Sequence, residues 1–134
     1  MVPAPFKVVL DANALFPLSL RDTLLRAAAA GFFQLYWSRQ ILDEARRNLV
    51  ASGTMAAEKA DRLCSFMESA FPEAMIAGHE ALIAVMKNDE KDRHVAAAAL
   101  KVGAQVIVTS NLKDFQDLPE GIENVAQSRA MRSS

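Results

Sequence analysis

The chain has a single cysteine, Cys64, and two histidines in 134 residues. One thiol closes no internal disulfide, and without a Cys/His cluster there is no structural zinc site to propose. Cys64 lies in the apolar-periodic run Leu63-Cys64-Ser65-Phe66-Met67 and reads as a small packing or surface thiol. Charge of one sign is not in excess either. Fifteen Lys+Arg against 16 Asp+Glu leave a formal net charge of −1, which is not the balance of a nucleic-acid packaging protein. An enzyme acting on nucleic acid stays open, because a local basic rim or a chelated cation suffices to meet phosphate. No apolar run approaches the roughly 20 residues that span a bilayer. The opening Met-Val-Pro-Ala-Pro-Phe-Lys lacks the charged-then-apolar order of a signal peptide. No membrane partner and a reducing cytoplasm are therefore expected. No internal repeat or linker divides the chain.

Against these absences, 51% of the residues are apolar, enough for one core in one domain. Residues 7–10 form an apolar, β-branched run that reads as a strand buried on both faces. A helix is expected from Leu20 to Ala30, with Ser19 as N-cap and Gly31 just past its end. Phe33–Trp37 reads as a second strand. Ser38 caps a helix to about Ser52 that Gly53 ends. On it Ile41, Leu42, Ala45 and Leu49 share one face, with Glu44 and Asn48 a turn apart along its border. Thr54 is the expected cap of a helix from Met55 to about Ala70, stopped by Phe71-Pro72. Met75–Ala77 suggests a short strand, and Ala81–Met86 fits strand or helix. A polar turn from Asn88 to His94 leads into a helix over Val95–Val102, closed by Gly103. Gln105–Thr109 is a strong strand, and Ile122–Val125 a final one. This alternation predicts an α/β fold, a three-layer sandwich whose mostly parallel central sheet is flanked by helices. The domain is expected over 1–125. Residues 126–134 form an unpatterned tail, loosely held or paired with another chain.

Carboxylates recur at element ends. Asp11 directly follows the first strand, where an open α/β sheet places its ligand crevice. Asp92 opens the alanine-rich helix, Asp114 follows the strand ending at Thr109, and Glu44 stands on its helix border. Each has a plainer role as well. Asp89/Asp92 and Asn111/Asp114 have capping spacing, Asn13 suits an N-cap of the turn at 14–17, and Glu44 suits a solvated helix face. Brought together, however, these acids would repel one another, and at least one would be driven toward protonation. A hard divalent cation removes that conflict, and oxygen-only ligation favours Mg2+ or Mn2+. His94, about 200° round the helix from Asp92, is expected to point away from it, as a surface or supporting group.

Val8-Val9-Leu10-Asp11-Ala12-Asn13, Glu44 in a helix, Asp92-Arg93-His94-Val95-Ala96-Ala97 and Val108-Thr109-Ser110-Asn111-Leu112-Lys113-Asp114-Phe115 together resemble the PIN domain family, over about residues 6–125. The resemblance implies a metal-dependent nuclease with a parallel sheet between helices, similar to the VapC-type ribonucleases of toxin–antitoxin pairs. The family's first three acids map to Asp11, Glu44 and Asp92. Its Thr-x-Asp motif maps to Thr109-Ser110-Asn111, so Asn111 stands where the fourth acid is usual, and Asp114, three residues on, is the candidate to take that role. The implied cofactor is Mg2+ or Mn2+. The implied partners are an RNA substrate, a cognate antitoxin and a second copy in a homodimer. On this reading Asp11, Glu44, Asp92 and Asp114 form the catalytic, metal-binding set. Asn13, Thr109 and Asn111 support it, and Lys91, Arg93 and Lys113 contact backbone phosphate.

Two rivals stand beside it. A phosphatase would use Asp11 as an aspartyl nucleophile with Lys113 as its later lysine. A non-catalytic PIN-like scaffold would bind RNA or a protein partner without metal chemistry, and Asn111 in place of an acid favours that variant.

Overall fold

The computed structural model of the chain describes residues 7–109 and 117–126. Strand β1 (Lys7–Leu10) runs into a one-turn helix α1 (Ala12–Leu15), followed by α2 (Leu18–Ala29), β2 (Gln34–Ser38), α3 (Arg39–Ala51) and α4 (Ala57–Ala70). Then come β3 (Met75–Ile76), α5 (Glu80–Ile83), a 3₁₀ turn at Glu90–Asp92, α6 (Arg93–Val102), β4 (Val106–Thr109) and β5 (Glu123–Ala126). All four strand pairings are parallel, in the order β3-β2-β1-β4-β5. The expected parallel α/β sandwich is thus the observed architecture.

The order has a consequence for the site. The chain steps outward from β1 to β2 to β3, then returns to the other side of β1 to lay down β4 and β5. Right-handed crossovers put α2, α3 and α4 on one face and α5 and α6 on the other. The direction of winding reverses between β1 and β4, and a crevice opens at such a point beyond the carboxyl ends of the strands.

Burial follows from the residue types. Val9, Leu10, Trp37 and Ile107 are wholly buried on the sheet, as is the α6 run Val95–Ala99. The alanines have no bulk beyond Cβ, so α6 lies close across β1, β2, β3 and β4. Trp37 meets Phe71 edge-on, with centroids 6.0 Å apart and planes at 88°, which ties the sheet to the end of α4.

Two helix starts differ from expectation. Helix α2 begins at Leu18 with Pro17 in the cap position and no side-chain capping bond, so Ser19 is not its cap. The fixed φ of proline sets the entry instead. Helix α4 begins at Ala57, and Thr54 is not its cap. The Thr54 hydroxyl is engaged 2.7 Å from that of Ser52. The ambiguous 81–86 stretch holds the short helix α5. No helix among the described residues is long and apolar enough to cross a membrane.

Candidate active site

Asp11 is the first residue past β1, and three interactions hold it at the reversal point. Its backbone N–H donates to Val108 O at 3.0 Å, extending the β1–β4 ladder by one residue. Its Oδ1 accepts from Ala12 N–H at 2.8 Å, making Asp11 the N-cap of α1. Its Oδ2 accepts from Thr109 Oγ1, also at 2.8 Å. The capping role open to Asn13 therefore belongs to Asp11, and Asn13 lies inside α1. Asp11 is 2% exposed and Thr109 wholly buried.

Glu44 arrives from the opposite direction. Ser38 Oγ accepts from Ile41 N–H at 3.1 Å and starts α3. The apolar face Ile41, Leu42, Ala45 and Leu49 is buried, which turns the Glu44 border toward the end of β1. Asp92 comes from the other layer, where Asp89 caps the 3₁₀ turn by accepting from Lys91 N–H. Asp11, Asn13, Glu44, Asn48, Lys91 and Asp92 line one cleft of about 370 Å3. Arg93 is directed elsewhere, its Nε donating to Asn88 O at 2.8 Å. Asn111, Lys113 and Asp114 lie outside the described residues.

Histidine 94 takes the supporting position of the two expected for it. It is 4% exposed, and its Nε2 stands 3.2 Å from Glu44 Oε2, out of line for a well-formed hydrogen bond. Of the surface and supporting positions open to it, this turn of α6 excludes the surface one, since Val95–Ala99 are all buried. Asn48 is the polar lining residue absent from the sequence-derived set. Its signal was present, one turn beyond Glu44 on the same border.

The electrostatics are those of crowded acids. Burial pushes the Asp11 carboxyl above its ordinary value, against the hydrogen bonds from Thr109 and Ala12, and the Glu44 charge adds to the rise. Burial alone would also raise Glu44, but His94, Gln40 and Arg47 together outweigh it and hold Glu44 below its ordinary value. Among the described residues no three Asp, Glu, His or Cys side chains converge as a ready-made metal cage.

Fold and cleft thus define a class, an all-parallel α/β domain with an acidic crevice at the winding reversal. Residues 7–113 match the family model described as "PIN domain", and the chain belongs to that family. A 40-residue stretch is 60% identical to "Putative ribonuclease VapC50" of Mycobacterium tuberculosis (strain ATCC 25618 / H37Rv). That alignment spans 30% of this chain and only 24% of the relative. The solved structure of VapBC-1 from nontypeable Haemophilus influenzae superposes with a TM-score of 0.61 over 91% of this chain and 98% of that one, at 15% identity. At such low identity the likeness speaks for the fold.

Proposed function

We propose that the chain is a divalent-metal-dependent endoribonuclease, the toxin of a toxin–antitoxin pair, acting as a homodimer in the cytoplasm. The observation that carries this reading is the convergence of Asp11, Glu44 and Asp92 on one cleft at the winding reversal. Family membership and a relative named as a ribonuclease support it.

The residues fit a hard cation. The acidic donors are oxygen only, and the repulsion that Glu44 exerts on Asp11 is what a cation between them would relieve. Asp11 and Asp92 would hold it directly, with Glu44 completing the shell. Asp114 takes the fourth acidic role and Asn111 a neutral supporting one. When bound, the cation supplies Lewis acidity and charge neutralisation for phosphodiester hydrolysis.

The chain's own groups do the rest. Thr109 donates to Asp11 Oδ2 and fixes the direction of its other lone pairs. The Asn13 and Asn48 amides at the cleft wall orient water or a phosphate oxygen. Lys91 on the same wall meets the RNA backbone, and Lys113 extends that contact in sequence, while Arg93, turned to Asn88 O, takes no part in it. An antitoxin would inhibit by placing a basic side chain in the acidic cleft.

The test is Mg2+-dependent cleavage of single-stranded RNA alongside a thermal shift. Wild-type protein is expected to cleave, and its melting temperature should rise with Mg2+ concentration, since a ligand at about 100 times its Kd adds about 2.7 kcal/mol. Asp11→Asn should abolish both effects. Equal cleavage by rigorously purified Asp11→Asn protein overturns the assignment.

A further inference from the structure

Glu44 is approached through one of its two oxygens. Oε2 lies 3.2 Å from His94 Nε2 and 3.4 Å from Gln40 Nε2. Both contacts fall on Oε2, which leaves Oε1 as the oxygen for the cleft that Glu44 lines. The two partners differ in origin. Gln40 stands one turn back on the same helix, at an exposed position. His94 belongs to α6, in the other layer. Helix α3 packs on β2, α1 and α4, whereas α6 packs on the sheet from β1 to β4 and on α5. The imidazole therefore bridges two layers where the sheet ends. It leaves its helix within one turn of Asp92, so a single stretch of chain supplies one acid of the cleft and the group that contacts another.

Burial makes this contact more than packing. His94 is buried, and among the described residues neither of its nitrogens makes a well-aligned hydrogen bond. A buried N–H without a partner is costly, whereas an apolar side chain of the same shape carries no such penalty. A ring kept only to fill space would therefore serve better without its nitrogens. Glu44 Oε2 is the acceptor within reach of Nε2. Hydrogen bonds at functional sites are often long or misaligned and tighten only when the ligand arrives, which fits a short distance with imperfect direction. Asp11 shows the same device in finished form, its Oδ2 fixed by the Thr109 hydroxyl.

We propose that His94 is a positioning residue for Glu44, anchoring Oε2 from the opposite layer and so fixing where the α3 carboxylate stands relative to Asp92 across the cleft. The inference rests on the divalent-metal reading above and adds the residue that holds its acids in register. Calorimetric titration of Mn2+ into the full chain tests it, with three substitutions at the one position. His94→Gln keeps an N–H the same number of bonds from Cβ as the histidine Nε2. His94→Asn falls one bond short, and His94→Phe keeps a ring without nitrogens. Removing a partner that hydrogen-bonds a metal-binding carboxylate typically costs about 10–100-fold in metal affinity. His94→Phe and His94→Asn are therefore expected to bind Mn2+ about tenfold more weakly than wild type, with His94→Gln close to wild type. In a Glu44→Ala background the His94→Phe loss should vanish, whereas a merely structural role would leave it in place. Wild-type affinity in His94→Phe, or a loss of equal size in the Glu44→Ala background, overturns the positioning role alone. Should His94→Phe fail to fold, the contrast between His94→Gln and His94→Asn decides, and equal affinities of those two overturn the role. If the wild type binds no Mn2+, the divalent-metal reading fails and the positioning role fails with it.

Discussion

Asp11 is kept by its surroundings in a state that costs the fold. Its carboxyl is buried and titrates above its ordinary value, so the native state holds this proton more tightly than the unfolded chain does. The Asp11 contribution to stability is therefore full below the unfolded value and is lost as pH rises through the raised native one. Asp11→Asn removes the term. The asparagine can still accept from Ala12 N–H and exchange a hydrogen bond with Thr109. In the absence of divalent cations, Asp11→Asn is expected to melt above wild type at neutral pH, with the gap closing as pH falls through the carboxylate range. Melting curves across pH in chelator check this, and a gap independent of pH would contradict it. Asp11 and Asp92 were legible as candidates because each stands where a strong element signal stops or starts. His94 was not. Its helical angle to Asp92 says nothing about which neighbour packs on that side, and Glu44 comes from a helix in the opposite layer.

Helix α3 positions Glu44, and its start depends on Ser38 accepting from Ile41 N–H. Replacing such a cap by alanine typically costs about 1 kcal/mol, and at this chain length that corresponds to a melting shift of about 4 °C. Ser38→Ala should show that loss, and Ser38→Asp, which retains an acceptor, should recover most of it. Equal melting temperatures for Ser38→Ala and wild type would show that the cap contributes nothing. Both ends of α3 could be read in advance because Ser38 and Gly53 have conformational reasons to stop a helix there, and Gly53 adopts φ +78°. The starts of α2 and α4 were misplaced because a hydroxyl that fits a cap also serves elsewhere, as Thr54 does with Ser52. Helix α5, four residues of Glu-Ala-Leu-Ile, is too short for an apolar period to separate helix from strand.

At the scale of the molecule, alternating strands and helices declared a parallel sheet but not its strand order, which is set by which edge each crossover chooses. That order is why Asp11 and Thr109 meet, since β1 and β4 become neighbours only after the chain has wound out to β3 and back. The arrangement is held by packing that crosses layers, and Trp37 is its clearest member. It is the chain's one tryptophan, wholly buried on β2 against Phe71, and among the described residues its indole N–H has no hydrogen-bond partner. Trp37→Ala should cost about 3–5 kcal/mol by transfer and cavity terms, a large share of the roughly 5–15 kcal/mol that stabilises an ordinary domain. Trp37→Phe keeps a ring facing Phe71 and deletes the unsatisfied donor, so its cost should be well under that of the alanine variant. Urea midpoints followed by far-UV circular dichroism rank the two variants against wild type at constant slope. In the wild type, the red shift of Trp37 emission should coincide with the dichroism transition, because the indole is exposed only when sheet and α4 part. An emission change well before the loss of secondary structure would instead show that the α4 layer detaches on its own.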